Sequence, residues 1–310
     1  NRQVLILIDG VRVSDPSRID NDFDINTLDI ETIESIEIVK GAASSLYGSS
    51  AATGVINITT KKAGESFGLI AKKTWATEQV ANQPLDRFNA GNHTIHLSAK
   101  QSGIGANFSY SERFSDRMTA VVGKEPDPFN KVNFNVGLSS QLSPKLKWKL
   151  NWNKDEIKAD YDNSFPLEQA DFSYSVLLDR FSINTQYNYA GGSLNLNAGF
   201  QQNKREFQSS YPLVYESDNL NIDFFNKYIF NNNFYTIVGF QYQKATMIAD
   251  YNPRVTQSDF YVNSVYLDSS GLNLNVGLRY NYHNAYEGHW TYGVNPSYSF
   301  LINKDYQMKI

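Results

Sequence analysis

The sequence predicts a mostly β protein in which a small α/β domain precedes a transmembrane, antiparallel up-and-down β-barrel. Three observations predict this fold class. Short apolar runs separated by glycines fill residues 1–64. From about residue 65 to residue 310, apolar and polar residues alternate with a period of two, which is the pattern of strands with two different faces. The predicted connections between these strands alternate between short and long, as in transmembrane barrels.

The N-terminal domain, residues 1–64, is predicted to combine strands with short helical segments. Val4–Ile8 is a continuous apolar run, typical of a buried strand, and Asp9-Gly10 is a tight-turn dipeptide. A short helix over Thr27–Ile33 and one helical turn over Ser44–Tyr47 come before a last strand over Val55–Thr59. A domain of this size buries little apolar surface alone. We therefore expect the neighbouring strands to supply the missing contacts.

Residues 65–310 are predicted to form about 12 strands, many of which reach the ~9–11 residues that cross a bilayer at a tilt. In Leu272–His283, apolar or aromatic residues alternate with Asn, Gly, Arg and His. The 20 Tyr and 19 Phe suit the aromatic girdles of such a barrel. A soluble sandwich with one wet face also alternates, but it gives no reason for regularly alternating connections. The long connections are predicted at about 78–91, 115–130, 159–172, 207–218 and 250–258.

Composition and motifs exclude several other classes of protein. The chain has no cysteine, which excludes disulfides and cysteine-ligated metals. A net charge of −4 gives no support for a nucleic-acid partner. We find no metalloprotease, serine-hydrolase or phosphate-loop motif. We therefore predict no catalytic residues, no required cofactor and a protein that is not an enzyme.

The N-terminal domain resembles the plug of TonB-dependent outer-membrane receptors. Three segments carry the resemblance: LIDG at Leu7–Gly10, IESIEIVKG at Ile33–Gly41, and the run from Ser44 to Thr60 that contains YG and GVINI. Two positions depart from the family pattern, with Lys40 where Arg is frequent and Ala42 where Pro is frequent. The resemblance implies the second half of a plug, followed by roughly the first half of a 22-stranded barrel with a plugged lumen. We expect too few strands here for barrel closure, with an unpaired edge near Phe67–Thr77.

The resemblance also implies a function, which is active import of a scarce nutrient across the bacterial outer membrane. The segment Arg2–Val13 is most similar to cobalamin receptors, which implies cobalamin or a related corrinoid as substrate. A siderophore receptor for ferric iron is the alternative within the family. A passive outer-membrane pore or a barrel enzyme is the alternative from a different class. The implied partners are TonB, through a segment upstream of this chain, and outer-membrane lipid, and a surface lipoprotein is a further candidate.

Three groups of residues are candidates for functional roles, each with a simpler alternative. The loop after Val13 is rich in polar residues, and the resemblance implies that it contacts substrate at the outer face of the plug; the alternative is a solvated loop. The predicted substrate contacts are Ser14, Asp15, Ser17, Arg18, Asp20 and Asn21.

Charges on a predicted plug strand are implied to fasten the plug to the barrel wall, and the alternative is a surface ion pair. These residues are Glu34, Glu37 and Lys40. One of the predicted extracellular loops contains three aspartates that offer oxygen ligands for calcium, and the alternative is ordinary acidic loop residues. These residues are Asp160, Asp162 and Asp171.

Overall fold

Two antiparallel or mixed β-sheets account for most of the chain in the computed structural model. The structure describes residues 4–40, 44–48, 51–62, 64, 66–78, 88–118, 121, 126–248, 252–268, 270–301 and 307–309. In this part of the chain, no helix has the length and apolar character needed to cross a membrane.

The smaller sheet has four strands in the order β2-β1-β4-β3. Its strands are β1 (Val4–Ile8), β2 (Val11–Arg12), β3 (Ile33–Lys40) and β4 (Gly54–Thr60), and one helical turn, α1 (Ser44–Tyr47), lies between β3 and β4. Strands β1 and β4 are parallel, whereas β3 pairs with β4 antiparallel. The predicted strand at the N-terminus and the single helical turn are confirmed.

The turn after β1 has the geometry that its sequence predicts. Asp9 and Gly10 both have positive φ, at 50° and 77°, as a primed hairpin turn requires. The predicted helix over Thr27–Ile33 is wrong. Two short 3-10 helices stand there, Ile25–Thr27 and Ile30–Thr32, because the carboxylates of Asp24 and Asp29 each accept a backbone N–H two residues later and start a separate turn.

The apolar run of β1 packs on both of its faces, with Leu5 and Leu7 buried and Ile6 and Ile8 half-buried. Leu5 and Leu7 pack with Ala51 and Val55 inside the small domain. Ile6 and Ile8 pack on the opposite side against a cluster of Val13, Phe23 and Leu178. Since Leu178 belongs to the larger sheet, the two sheets share one apolar cluster, as expected for a domain too small to bury its own core.

The larger sheet has 13 strands that follow one another in sequence order, each antiparallel to its neighbours. The strands are β5 (Gly68–Ala76), β6 (Ala90–Gln101), β7 (Ile104–Met118), β8 (Asp127–Gln141), β9 (Leu146–Ser164), β10 (Leu167–Tyr189), β11 (Gly192–Gln208), β12 (Leu213–Asn231), β13 (Phe234–Ile248), β14 (Arg254–Leu267), β15 (Leu272–His283), β16 (Glu287–Leu301) and β17 (Gln307–Lys309). Within the described residues the sheet is open, with β5 at one edge and β17 at the other.

We call the face of this sheet that points away from the small domain its outer face. It carries an apolar band that ends at a row of paired residues. Trp152, Phe181 and Phe200 lie side by side on β9, β10 and β11 and are exposed. The next row on the same face is polar, with Lys154 opposite Asp179. The indole nitrogen of Trp152 donates to a carboxylate oxygen of Asp179 at 2.8 Å. A Trp with an apolar body and a polar partner is typical of the interface between lipid and water.

Strands β9 to β12 continue well beyond this row. They contain 19, 23, 17 and 19 residues, about twice the ~9–11 that cross a bilayer. The predicted long connections at 159–172 and 207–218 are therefore wrong, because most of their residues pair as strand. Only Phe165 and Pro166 separate β9 from β10. The strict alternation of short and long connections is wrong in this part of the sheet.

Candidate functional site

The small domain lies against one face of the larger sheet, and buried polar contacts join them at four places. The first is the Asp9 turn. The ammonium group of Lys149 on β9 lies 2.8 Å from a carboxylate oxygen of Asp9 and 2.7 Å from the hydroxyl of Thr60. Asn184 on β10 donates to the backbone carbonyl of Asp9 at 2.7 Å. The Lys149 and Asp9 side chains are only 12% and 7% exposed, so this is a nearly buried ion pair.

The second contact is an ion pair at the start of the loop that follows β2. The Nε atom of Arg205 on β11 lies 3.1 Å from a carboxylate oxygen of Asp15. The same guanidinium donates to the hydroxyl of Ser17 at 3.0 Å. The other Asp15 oxygen accepts from the hydroxyl of Ser217 on β12 at 3.0 Å and from the backbone N–H of Ser17 at 2.9 Å. The Asp15 carboxylate thus has hydrogen-bond or ion-pair partners both in its own loop and in the larger sheet, which we call the wall.

Ser14 extends this contact along the wall. Its hydroxyl accepts from the amide of Asn219 at 2.6 Å, and its carbonyl accepts from the amide of Gln201 at 2.7 Å. All three residues are buried. Each wall amide lies on the polar face of a strand and meets an oxygen of the loop, as buried polar groups require.

The six predicted substrate contacts therefore divide into two groups. Ser14, Asp15 and Ser17 are buried and bonded to the wall, which makes them anchors of the loop in this structure. Arg18 is partly exposed and forms an ion pair with Asp24 at 2.7 Å. Asp20 is exposed and Asn21 is half-buried at the loop tip, where the neighbouring Ile19 is fully exposed. A substrate contact at Arg18, Asp20 and Asn21 stays a prediction.

The third contact holds the two 3-10 helices. Ser111 on β7 donates to the carboxylate of Asp29 at 2.8 Å. Lys131 on β8 donates to the carbonyl of Leu28 at 2.6 Å, and Asn133 donates to that of Thr27 at 2.6 Å. The wall therefore supplies donors to carbonyls at the ends of these turns, which have few partners of their own.

The fourth contact seats α1 on strands β14 and β15. Arg279 is 1% exposed and forms an ion pair with Asp259, with 2.6 Å between nitrogen and oxygen. Its second terminal nitrogen donates to the carbonyl of Leu46 in α1 at 3.0 Å. Gly277 leaves room for the helix, because a Cβ there would lie 2.5 Å from the hydroxyl of Ser45.

A cavity of about 270 Å³ remains between the small domain and strands β12 to β14. Arg12 and Tyr47 line it from the small domain, and Gln241, Asp259 and Tyr261 line it from the wall. Burial lowers the pKa of Arg12 to about 10, with Asp259 acting in the opposite direction, so the guanidinium stays charged at neutral pH. Burial raises the pKa of Tyr47, and the nearby Glu37 raises it further. The cavity therefore has a cationic and a neutral phenolic group on its small-domain side.

The predicted fastening residues lie elsewhere. Glu34, Glu37 and Lys40 are exposed on β3, the edge strand of the small sheet, and Glu37 accepts a hydrogen bond from Asn57 of the adjacent strand at 3.3 Å. The polar contacts to the larger sheet described above come from the Asp9 turn, the loop after β2, the two 3-10 helices and α1. A fastening role for Glu34, Glu37 and Lys40 stays a prediction.

The loop predicted to carry the three candidate calcium ligands is wrong. Asp160 lies in β9 and Asp171 in β10, both exposed, and Asp162 is buried in β9 with its carboxylate accepting the backbone N–H of Ala170 at 3.2 Å. Strand pairing replaces the expected loop. In the part of the chain that the structure describes, no group of three or more His, Cys, Asp or Glu has the arrangement of a metal site. Calcium binding by these aspartates stays a prediction of the sequence.

Sequence reasoning missed the wall side of every contact. The missing partners are Lys149, Arg205, Asn219, Lys131 and Arg279, which stand on the polar faces of predicted strands. Lys, Arg and Asn on such faces are ordinary for a wet lumen, so nothing local distinguishes the first four of these residues. A charged residue within an otherwise neutral polar face, as Arg279 is in β15, was the one available signal.

Comparisons with known proteins agree with this architecture. The family model described as TonB-dependent receptor plug domain matches residues 1–55. The vitamin B12 transporter BtuB of Vibrio cholerae is 27% identical over 237 residues, covering 74% of this chain and 37% of that protein. The ferric enterobactin receptor of Pseudomonas aeruginosa is 40% identical over 150 residues, covering 46% of this chain and 18% of that protein.

Solved structures show the same fold at low identity. A variant of the ferric enterobactin receptor PfeA from Pseudomonas aeruginosa superposes with a TM-score of 0.78 at 14% identity, covering 97% of this chain and 52% of that one. The siderophore receptor PirA from Acinetobacter baumannii gives 0.77 at 14% identity, covering 98% and 52%. The chain spans about half the length of these structures and less of the curated relatives.

Proposed function

We propose that this chain, which belongs to the TonB-dependent receptor family, takes part in energy-dependent import of a corrinoid such as cobalamin across the bacterial outer membrane. In this proposal, residues 1–64 are the movable plug, and residues 65–310 are wall strands in contact with outer-membrane lipid. One observation carries the proposal, which is that a separate small domain sits on the polar face of a membrane sheet through buried polar contacts. Such contacts suit a domain that is held in place and later released.

The chemistry of the interface supports release. Asp9, Asp15 and the carbonyls of Thr27 and Leu28 all meet donors on the wall. When such a contact opens, water can replace the lost partner, whereas an apolar core would expose its surface without compensation. Energy delivered by the proposed partner TonB is needed because several of these buried contacts must open together before water can reach them. We propose no required cofactor.

Cobalamin is the proposed substrate because several of the similar curated proteins are vitamin B12 transporters. Siderophores are the second candidate, since similar proteins and solved structures include receptors for ferric enterobactin and other siderophores. Both candidates share the mechanism of import and differ in the ligand. A passive pore or a barrel enzyme is disfavoured because the similar proteins are transporters and receptors.

Uptake by whole cells tests this proposal. A host that lacks its own cobalamin receptor should accumulate labelled cobalamin when it produces this protein and TonB. Removing TonB, or collapsing the proton gradient, should abolish the uptake. Accumulation that persists without TonB would identify a passive pore. Failure with cobalamin together with TonB-dependent uptake of a ferric siderophore would select the second candidate.

A further inference from the structure

A cavity of about 560 Å³ lies beside the Asp9 turn, between the small domain and strands β6 to β11. It is found at the end of the sheet where the connections 102–103, 142–145 and 190–191 join the strands. Gln141 and Lys147 border it and are exposed, so water enters the cavity at this end. Short turns of transmembrane barrels lie on the periplasmic side. In the proposed orientation, the cavity therefore faces the compartment to which an imported ligand is delivered.

The wall side of this cavity is formed by paired residues on the face of the sheet that points to the small domain. Lys100 on β6 pairs with Gly105 on β7. Ser139 on β8 pairs with Gly105 on one side and with Lys149 on the other. Because directly paired residues share a face, these residues border the same space. The glycine and the serine occupy little volume, which leaves room between the two lysines.

Positive charge dominates the lining, and we call this space the lysine cavity. Its described lining residues include four lysines and one acid: Lys62, Lys100, Lys147, Lys149 and Asp9. Lys149 and Asp9 neutralise each other at a distance of 2.8 Å. Lys62 and Lys147 form no ion pair or hydrogen bond with another described residue. The cavity thus keeps an excess of positive charge, and its concave walls concentrate the field of these charges.

Neutral hydrogen-bond donors complete the lining. Lys147 pairs with Gln186 on β10, and Gln186 pairs with Asn195 on β11. Asn57 lines the cavity from the small domain. Ammonium and amide N–H groups both donate to the oxygens of anions, and hydrogen bonds to a charged acceptor are the stronger ones. The lining therefore has the chemistry of an anion site.

The simpler alternative is the ordinary polar face of strands that meet water. Such a face would reflect the overall charge of the chain, which is −4. The cavity at Arg12 has compensated charges of this kind, because Asp223 and Asp259 line it together with that arginine. The lysine cavity has no second carboxylate among its described lining residues. Its positive excess is therefore local and does not follow from composition.

The lysine cavity borders a contact whose release is part of the proposed import. Gly10 and Asn197 line both this cavity and the one at Arg12, so the Asp9 turn stands between the two spaces. The ion pair with Lys149 holds that turn against the wall. A ligand that passes the displaced turn along the wall enters the lysine cavity before it leaves the protein.

We propose that the lysine cavity is an exit-side binding site, which takes an anionic group of the imported ligand, such as a phosphate or an ionised catechol. This inference rests on the proposed function and adds to it a second site and the charge class of the ligand. Cyanocobalamin has a phosphodiester and ferric enterobactin has ionised catechols, so both proposed ligand classes meet this requirement. A free phosphate compound on the periplasmic side has the same chemistry, and the uptake experiment below distinguishes this second source.

Calorimetric titration of the purified protein with inorganic pyrophosphate tests the anion site without transport. We expect binding that weakens about fivefold or more when sodium chloride rises from about 50 to about 500 mM, because salt screens charges that are open to water. The double variant Lys100→Gln, Lys147→Gln should weaken binding about tenfold or more, because it removes two ammonium groups. The double variant Lys100→Arg, Lys147→Arg keeps both charges and should stay within about threefold of the unchanged protein.

The matched control removes two lysines outside the cavity. Lys145 and Lys158 are exposed and do not line it. Lys145→Gln with Lys158→Gln changes the net charge equally and should bind pyrophosphate as the unchanged protein does. Equal affinity in this control and in the Lys100→Gln, Lys147→Gln variant, or no binding by the unchanged protein, would overturn the anion site. If resistance to unfolding by detergent shows that the double variant has lost its fold, the exposed Lys147→Gln alone should weaken binding about threefold.

Uptake by whole cells tests the exit role, with cyanocobalamin and ferric enterobactin as the two probes. Cells with the Lys100→Gln, Lys147→Gln variant should bind the imported probe at their surface as before. They should take it up about fivefold or more slowly, because the cavity no longer attracts the anionic group. Cells with the control variant should take it up at the unchanged rate.

The outcomes separate this inference from the proposed function. Loss of pyrophosphate binding with unchanged uptake would overturn the exit role and assign the site to a free anion. Pyrophosphate binding without TonB-dependent uptake of either probe by the unchanged protein would overturn the proposed function and the exit role together, and leave the anion site in place.

Discussion

The residues that fix the small domain act in pairs from distant parts of the chain, and the Asp15–Arg205 pair shows what each partner contributes. Asp15 is 5% exposed and accepts hydrogen bonds from the wall and from its own loop. Its carboxylate thus shapes the loop and also compensates the buried guanidinium. Removing its charge affects both roles at once.

The substitution Asp15→Asn should loosen the loop without unfolding the sheet. It leaves Arg205 buried without its counter-ion, which costs about 3–5 kcal/mol of the free energy that seats the loop. Hydrogen exchange should become faster at the amides of Ser17 and Arg18 and stay unchanged in β11. The control Lys204→Met alters a charge on the outer face of the same strand and should leave loop exchange unchanged. Equal exchange in Asp15→Asn and the unchanged protein would contradict the anchoring role.

Gly277 provides a second test at the scale of one atom. A Cβ there would lie 2.5 Å from the Ser45 hydroxyl, so Gly277→Ala must displace α1 or the strand. We expect a loss of about 1–3 kcal/mol in the free energy of unfolding, the usual cost of overpacking. Gly64→Ala is the matched control, because nothing lies within 4 Å of the added atom. Thermal unfolding measures both variants, and similar midpoints would show that α1 adjusts freely.

Local residues were predictable from sequence, and their distant partners were not. The Asp9-Gly10 turn follows from its dipeptide, since both positions adopt positive φ readily. Lys149, the partner of Asp9, lies 140 residues further along the chain. Its contact depends on how the small domain sits against β9, and no pattern within β9 encodes that position.

At the scale of elements, the main difference between expectation and structure is the length of β9 to β12. Strand pairing continues to Ser164 in β9 and resumes at Leu167 in β10, but the face that carries apolar residues changes at the Trp152 row. Tyr161 faces inward, whereas the apolar residues of β9 below the row face outward. In a sequence pattern, such a change of face indicates the end of a strand, and this is why a loop is predicted at 159–172. Backbone pairing holds because hydrogen bonds between strands do not depend on which face is apolar.

The extended hairpin makes a direct prediction about depth in the membrane. Phe165 lies 13 residues beyond Trp152, which is about 43 Å along a strand at ~3.3 Å per residue. In a variant that retains Trp152 as its single Trp, fluorescence should be quenched by lipids carrying a spin label near the headgroup. When Phe165→Trp supplies the single Trp instead, the same lipids should not quench it, because this side chain is 93% exposed above the membrane. Quenching of both would place the hairpin on the lipid surface.

At the scale of the whole molecule, two sheets meet through an interface that combines one apolar cluster with buried polar contacts. The apolar cluster around Val13, Phe23 and Leu178 gives the domain its position. The ionic and hydrogen-bonded contacts determine its orientation, because they require specific partners. The resemblance to the receptor family is carried by the sequence motifs of the small domain. The way the domain binds the wall required the structure.

The absence of cysteine from the sequence allows a clean test of whether the domain must move. The Asn219 amide lies 2.6 Å from the Ser14 hydroxyl, so Ser14→Cys with Asn219→Cys should form a disulfide between loop and wall. If release of the loop is part of import, the oxidised variant should bind ligand and fail to transport it, and reduction should restore uptake. The control Gln202→Cys with Asp218→Cys joins two paired residues on the outer face and should transport in both redox states. Full transport by the oxidised Ser14–Asn219 variant would show that import proceeds with this part of the loop fixed to the wall.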